Sequence, residues 1–139
     1  MEREILIQEE YVNDGWKMLV CCILLNQTNN KQVRPILKPL FELIPDYQSA
    51  IHCPKESIVA IIKTTGFYNV KAGRIKRLSA SWSEFANTEG MSVKSLSGIG
   101  VYGKESWDIF ILGRFPRVIT DKKLRAYVDA IRACQTQEP

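Results

Sequence analysis

The sequence predicts an all-α protein, and three observations support this class. Apolar residues recur at intervals of three and four through most of the 139-residue chain, which is the spacing of a single buried helical face. We find no convincing pair of strands, no internal repeat and no low-complexity tract. The composition, with 45% apolar and 24% charged residues, can form a substantial core. The length fits one domain, or two small lobes that share a cleft.

The first predicted helix runs from Trp16 to Leu25, with Asn13 or Asp14 as its N-cap. Within it, five apolar residues follow the pattern of one buried face. The polar cluster at residues 26–30 is typical of a loop and ends the helix.

Two more helices are predicted in the first half of the chain. The second carries apolar residues from Val33 to Phe41, and Pro39 should kink or split it because proline cannot donate the backbone hydrogen bond. A short helix begins at Pro54 and carries Ile58. Gly66 is expected to end it as a left-handed C-cap.

Three helices are predicted in the second half. After a loop at residues 67–70, an amphipathic helix is expected over Lys71–Phe85. The segment Val101–Leu112 is apolar on nearly all sides, which predicts the central and most buried helix. A loop over 113–120 then leads to a final helix from Asp121 to about Cys134.

Charge is distributed unevenly along the chain. The formal net charge is only +4, but residues 63–125 hold twelve Lys or Arg against five Asp or Glu. The first fourteen residues instead carry five acidic residues and one arginine. A basic second half could line a polyanion such as nucleic acid, and a solvated surface is the alternative.

The cysteine and histidine content argues against a metal site. Cys21, Cys22, Cys53 and Cys134 form no CxxC pair and no zinc or iron–sulfur spacing. His52 is the single histidine, and we expect it in a surface loop. No apolar run approaches a membrane span, and the first residues lack a signal-peptide pattern. We therefore expect no metal, no membrane partner, and buried free thiols in a reducing compartment.

A glycine-bracketed turn, Leu96-Ser97-Gly98-Ile99-Gly100, stands directly before a predicted helix. Glycines allow positive φ and a close approach of the backbone. The amides at the following helix start carry partial positive charge, which suits a phosphate. The alternative is a plain helix connection that needs glycine for its geometry.

Four patches in this order resemble the helix-hairpin-helix DNA glycosylase superfamily, whose best-known member is endonuclease III. They are Leu24-Leu25-Asn26-Gln27-Thr28, Gly66-Phe67-Tyr68-Asn69-Val70-Lys71-Ala72, the glycine turn, and Asp121 at a helix start about twenty residues later. The resemblance covers Trp16 to about Ile131. It implies a helix-hairpin-helix glycosylase fold of two helical lobes flanking a cleft, as a single domain over residues 1–139. It also implies double-stranded DNA as the partner, and we expect a monomer.

The resemblance assigns the chemistry to two residues. Asp121 corresponds to the catalytic aspartate, whose carboxylate would stabilise an oxocarbenium-like sugar and orient the attacking water. It could equally be an N-cap, and the two roles are compatible. Tyr102 stands where bifunctional members carry a Schiff-base lysine. Because tyrosine cannot form an imine, hydrolysis without strand cleavage is expected. Tyr102 would pack on the extruded base or touch its edge, and an ordinary buried tyrosine is the alternative.

Such an enzyme must extrude its target base, and inserted side chains fill the hole that is left. Gln27 and Phe67 match the two insertion loops of the superfamily; the alternatives are a loop polar residue and a core anchor. Basic side chains, Arg74 among them, would neutralise phosphates or simply be solvated. The predicted DNA-binding residues are Gln27, Phe67, Lys71, Gly98, Ile99, Gly100, Lys122 and Lys123.

Departures from the superfamily pattern narrow the resemblance. Adenine-removing relatives carry a glutamate at the position of Cys22, which cannot act as that acid. Only Cys134 follows Tyr127, so no iron–sulfur cluster is expected, although a monovalent cation at the hairpin is allowed. The chain most resembles the thymine glycosylase domain of the methyl-CpG-binding-domain protein family. That domain usually has arginine at the position of Gln27, which bears on base choice.

The narrower resemblance implies a monofunctional nuclear DNA glycosylase of base excision repair that removes thymine or uracil mispaired with guanine. Two alternatives stay open at this point. One is a non-enzymatic helix-hairpin-helix module that only binds DNA, and the other is a glycosylase for another damaged base.

Overall fold

A computed structural model describes residues 3–136, and every regular element within that range is helical, which confirms the all-α class. The α-helices are α1 (Gly15–Leu25), α2 (Asn30–Leu43), α3 (Tyr47–His52), α4 (Lys55–Ile62), α5 (Tyr68–Asn87), α6 (Val101–Ser106) and α7 (Lys122–Thr136). Shorter 3-10 segments are Ile7–Tyr11, Lys63–Thr65 and Val93–Ser95, and a π-helical segment, Trp107–Ile111, continues α6.

Helix α1 is the central element, because nine of its eleven residues are buried. It packs against α2, α5 and α6. Asp14 caps its start, since its side chain accepts a hydrogen bond from the Lys17 amide at 3.1 Å. The prediction that residues 101–112 form the most buried helix is wrong. The apolar side chains of Val101 and Leu112 are 56% and 47% exposed, so apolar content alone misjudged the burial of this segment.

Helix α2 runs unbroken through Pro35 and Pro39, so of the kink or split predicted at Pro39, the split is wrong. The two prolines are four residues apart and both are exposed, which places them on one outer face. Val33, Leu37 and Leu40 are buried on the opposite face. Burial of that face holds the helix together despite the lost backbone donors.

Two further boundaries differ from the predictions. Helix α3, over Tyr47–His52, was not predicted, because only Ala50 among its residues is buried and it shows no apolar period. Helix α5 begins at Tyr68, so most of the predicted loop at 67–70 is helical. Only Phe67 stays outside it, as a left-handed N-cap residue.

Buried apolar side chains form two clusters, which are the cores of two unequal lobes. The larger one surrounds α1 and includes residues from α2, α4 and α5. The smaller one consists of Leu6, Ile109, Phe110, Ile119, Leu124 and Val128. Tyr102 packs against both clusters and therefore lies at their junction. The two-lobed architecture is thus confirmed.

All four cysteines are free, but only Cys21 and Cys22 are buried. Cys53 is partly exposed and Cys134 is exposed, so the expectation of buried thiols holds for the first pair alone. Among the helices that the structure describes, none combines the length and apolar character needed to cross a membrane.

Candidate active site

A cleft of about 960 Å³ opens where the two lobes meet. The end of α1 and the loop after it, the glycine turn with the start of α6, and the segment that leads into α7 form its walls. The structure brings eight of the ten predicted site residues to this cleft: Gln27, Gly98, Ile99, Gly100, Tyr102, Asp121, Lys122 and Lys123. Phe67 and Lys71 do not line it.

Asp121 is the half-buried residue immediately before α7. Its Oδ2 accepts a hydrogen bond from the Leu124 amide at 2.9 Å, which is the geometry of an N-cap. Its backbone carbonyl accepts one from the Arg125 amide at 3.0 Å. Among residues 3–136 no hydrogen-bond partner is found for Oδ1. One carboxylate oxygen therefore fixes the side chain, and the other is available to the cleft.

Glu105, which the sequence reasoning missed, anchors the segment that carries Asp121. Its side chain is only 6% exposed. Its carboxylate accepts hydrogen bonds from the Thr120 amide at 2.7 Å, the Thr120 hydroxyl at 2.8 Å and the Asp121 amide at 3.4 Å. On the far side, the Arg125 guanidinium donates to the Ile119 carbonyl at 2.9 and 3.1 Å. The acid is therefore held at its backbone as well as at its side chain.

Tyr102 is fixed by a second residue that the sequence reasoning missed. The fully buried Gln8 donates from Nε2 to the Tyr102 hydroxyl oxygen at 2.5 Å and to the Ser106 hydroxyl at 3.3 Å. Burial raises the pKa of Tyr102 well above its usual value, with the neighbouring Cys22 adding to the effect, so the phenol is neutral. Tyr102, with its oxygen held by Gln8, lines the cleft.

The glycine turn forms one wall of the cleft. Gly98 has a φ of +83°, and a Cβ there would lie 3.3 Å from the Cβ of Arg74. Both the backbone angle and the limited space therefore require glycine. Gly100 is the N-cap of α6, so the helix starts at the cleft wall. Arg74 lines the cleft beside this turn and adds a cation to it.

Lys122 and Lys123 lie at the start of α7 and are both exposed. Lys123 already has a partner, because its Nζ lies 2.8 Å from Glu4 Oε1. The same Glu4 oxygen accepts a hydrogen bond from Asn30 at 3.1 Å. The hydrogen bond from Lys123 lowers the pKa of Glu4, so this carboxylate is ionised at neutral pH. A phosphate that binds Lys123 would compete with the Glu4 carboxylate for the same ammonium.

Gln27 and Phe67 share an unusual backbone. Their φ angles are +56° and +46°, and they are the only non-glycine residues of the described chain with positive φ. Such conformations are strained and concentrate at functional positions. Phe67 is 60% exposed, which rules out the alternative of a core anchor. Gln27 is exposed at the rim of the cleft.

The prediction that Lys71 contacts DNA is wrong. Its side chain is fully buried, and its ammonium donates to the carbonyls of Leu24 and Thr65, each at 2.8 Å. Burial lowers its pKa to about 8. The sequence showed a lysine on a long helix, but it did not show that this position faces the interior.

The helical fold, the cleft with its glycine turn, and an acid that caps the next helix define a class of DNA repair protein. The chain belongs to the HhH-GPD superfamily of base excision DNA repair proteins, whose family model matches residues 20–139. The resemblance to helix-hairpin-helix glycosylases is therefore confirmed.

Two relatives place the chain more closely within this family. It is 34% identical over 128 residues to the methyl-CpG-binding domain protein 4-like protein of Arabidopsis thaliana. The aligned region covers 91% of this chain and 28% of that protein. It is 27% identical over 122 residues to the thymine/uracil-DNA glycosylase of Pyrobaculum aerophilum, over 85% of this chain and 53% of that protein. The chain therefore spans 53% of the length of the Pyrobaculum protein and 28% of the length of the Arabidopsis protein.

Two solved structures share the fold. A thermostable thymine-DNA glycosylase superposes with a TM-score of 0.63 at 23% identity, over 73% of this chain and 48% of that one. Endonuclease III, trapped in a covalent intermediate with DNA, gives a TM-score of 0.66 at 20% identity, over 97% of this chain and 74% of that one.

Proposed function

We propose that the chain is a monofunctional DNA glycosylase that hydrolyses the N-glycosidic bond of thymine or uracil mispaired with guanine. The observation that carries the proposal is Asp121, a half-buried carboxylate in the cleft with one oxygen held by the helix cap and the other available. Family membership supports base excision repair as the setting. The similarity to the Pyrobaculum thymine/uracil-DNA glycosylase supports the choice of base.

In this proposal Asp121 acts on the sugar. As the bond between C1′ and the base nitrogen breaks, positive charge develops on the sugar ring and the free carboxylate oxygen stabilises it. The same carboxylate orients a water molecule towards C1′ and takes its proton, while the base leaves as an anion whose nitrogen then takes up a proton from solvent. The products are the free base and an abasic site, and no bond to the protein forms.

Tyr102 acts on the base. A neutral phenol held at its oxygen by Gln8 presents its O–H in a fixed direction. Thymine and uracil both carry carbonyl oxygens that can accept such a hydrogen bond. A tyrosine cannot form the imine that strand cleavage by a lyase requires, which is why we propose hydrolysis alone. The cleft of about 960 Å³ is ample for one extruded nucleotide.

DNA is held by the elements around the cleft. The glycine turn offers backbone amides to a phosphate, while Lys122 and Lys123 contribute charge. Gln27 and Phe67 are proposed to enter the duplex where the base leaves it. A glutamine inserted beside the orphaned guanine is uncharged, so we expect weaker selection for the mismatch than an arginine would give.

The test is base release from labelled duplexes that contain G·T, G·U or normal pairs. The wild-type chain should convert the mismatched duplexes to alkali-labile abasic products. Asp121→Asn should bind the same DNA without releasing base, because asparagine keeps the helix cap but cannot stabilise the cation. Full single-turnover activity of Asp121→Asn would remove Asp121 from the mechanism. Binding without any release by the wild type would favour a DNA-binding module.

A second variant tests the monofunctional assignment. Tyr102→Lys introduces an amine at the position where an imine could form. An adduct trapped by borohydride should appear with this variant and not with the wild type. An adduct with the wild type would contradict the proposal. The monomeric state, the nuclear location and the absence of an iron–sulfur cluster stay predictions, as does a cation at the hairpin.

A further inference from the structure

Lys71 is a buried cation that no carboxylate neutralises among residues 3–136. Its partners are two backbone carbonyls, those of Leu24 and Thr65, each 2.8 Å from Nζ. Burying an ammonium costs free energy that a methionine of similar length would not. The contacts that the ammonium makes must therefore account for its presence.

The two carbonyls belong to segments far apart in sequence. Leu24 lies in the last turn of α1, where carbonyls lack helical partners, and it precedes Gln27 by three residues. Thr65 precedes Phe67 by two residues. The Lys71 ammonium therefore connects the starts of two loops. The tips of these loops, Gln27 and Phe67, are the only non-glycine residues of the described chain with positive φ.

We propose that Lys71 is a positioning residue that fixes the separation of the Gln27 and Phe67 loops, so that both tips enter the DNA together. This inference rests on the proposed function, because it assumes that the chain opens a base pair. Each loop is connected to its helix by a few residues only, and a common hydrogen-bond donor prevents one loop from moving without the other.

Helix α5 also offers a matched control. Lys76 donates in the same manner to the carbonyls of Ala50 and Ile51, at 3.0 and 2.9 Å, and to that of Cys53. These carbonyls lie at the end of α3, away from both loops. Lys76→Met therefore removes a lysine–carbonyl cluster from the same helix without touching the Gln27 or Phe67 segments.

The experiment measures base extrusion in the Asp121→Asn background. The probe is a G·T duplex with 2-aminopurine next to the thymine, whose fluorescence rises when its neighbour unstacks. Adding Lys71→Met should reduce the rise at saturating protein about tenfold, because both loops lose their common anchor. Adding Lys76→Met should leave it unchanged. Phe67→Ala should reduce the rise, and combining it with Lys71→Met should add little, since Lys71→Met already releases the loop that carries Phe67.

An unchanged fluorescence rise with Lys71→Met, or equal losses with Lys71→Met and Lys76→Met, would overturn the inference. If circular dichroism shows that Lys71→Met is not folded, Lys71→Gln takes its place. Its amide keeps a donor but cannot reach both carbonyls, so a reduced rise supports the inference and a full rise overturns it.

Base release by the otherwise wild-type chain is measured in parallel, which separates the two proposals. No release by the wild type, together with loss of the rise in Lys71→Met, defeats the glycosylase proposal and leaves this inference standing. Normal release together with a full rise in Lys71→Met defeats this inference alone.

Discussion

Glu105 and Lys71 are both buried charged residues that have no oppositely charged partner among residues 3–136, yet they hold different segments of the site. The Glu105 carboxylate accepts hydrogen bonds from Thr120 and from the Asp121 amide, and so holds the segment that carries Asp121. The Lys71 ammonium donates to carbonyls at the starts of the Gln27 loop and the Phe67 loop. In the proposed function, Glu105 orients Asp121 for base release, and Lys71 positions the two loops that enter DNA.

The largest effect is expected when the hydrogen bonds that Glu105 accepts are disrupted. In Glu105→Gln, an amide N–H₂ faces backbone donors, so at least one buried N–H loses its acceptor at a cost of about 1–3 kcal/mol. We expect base release to fall about a hundredfold as Asp121 loses its orientation. Single-turnover kinetics with a G·U duplex measures the rate, and chemical denaturation measures the stability.

Thr120→Val is the matched control for this change, because it removes only the hydroxyl donor and keeps both amides bonded to Glu105. It should cost about 1 kcal/mol of stability and leave base release within a few-fold of the wild type. Base release by Glu105→Gln at the wild-type rate would show that Asp121 does not depend on Glu105.

The next effect concerns Tyr102, which lies where the two lobes join. Tyr102→Phe removes the proposed donor to the base and one of the acceptors that Gln8 uses. We expect about a tenfold slower release, with DNA affinity unchanged, because the lost hydrogen bond forms only after extrusion. Binding and single-turnover rates of the same preparation check this. A proportional loss of DNA affinity would instead assign Tyr102 to the initial complex.

Gln8, Glu105 and Lys71 show which parts of the site sequence reasoning could not predict. Each is a buried polar residue whose partners are remote in the chain, with Gln8 bonded to Tyr102 across 94 positions. Periodicity indicates which apolar residues face inward, but it carries no information about a buried polar residue whose hydrogen-bond partners lie in other segments of the chain. The run 101–112 contains two carboxylates, Glu105 and Asp108, and nothing in the sequence distinguishes the buried Glu105 from Asp108, which pairs with Lys104.

The ordered motifs carried more information than the propensities. They predicted which residues would meet in the cleft, since the turn, Tyr102, Gln27 and Asp121 all line it. The boundaries of α2 and α5 were judged less well, because tertiary burial overrode the local effect of Pro39 and of residues 67–70.

A pH titration of stability tests the burial of the Lys71 ammonium. Burial lowers the pKa of the folded-state ammonium to about 8, below the ordinary value of 10.5. The unfolded chain therefore binds more protons between these two pH values, and the contribution of Lys71 to stability should rise with pH across that window. The free energy of unfolding of the wild type minus that of Lys71→Met, measured from pH 7 to about 10.5, isolates this contribution. A flat or falling difference would contradict the buried environment.

The smallest effect is expected at Glu4, which links the two lobes at the mouth of the cleft. Its carboxylate bonds Asn30 at the start of α2 and Lys123 at the start of α7. Both contacts are exposed, so the ion pair adds little to stability. It does occupy the Lys123 ammonium, which we propose binds a DNA phosphate. Glu4→Gln should therefore tighten DNA binding about two- to fivefold and make the salt dependence of binding slightly steeper, because Lys123 then releases counterions on meeting a phosphate.

Glu10→Gln is the control for Glu4→Gln. Glu10 is also an exposed glutamate paired with a cation, Arg34, but neither it nor Arg34 lines the cleft. Both variants raise the net charge by one, so general attraction to DNA increases equally in the two. If fluorescence anisotropy gives the same affinity gain for both, the effect is one of net charge. A larger gain for Glu4→Gln means that the Glu4 carboxylate competes with phosphate at the same side of the site that Glu105 organises.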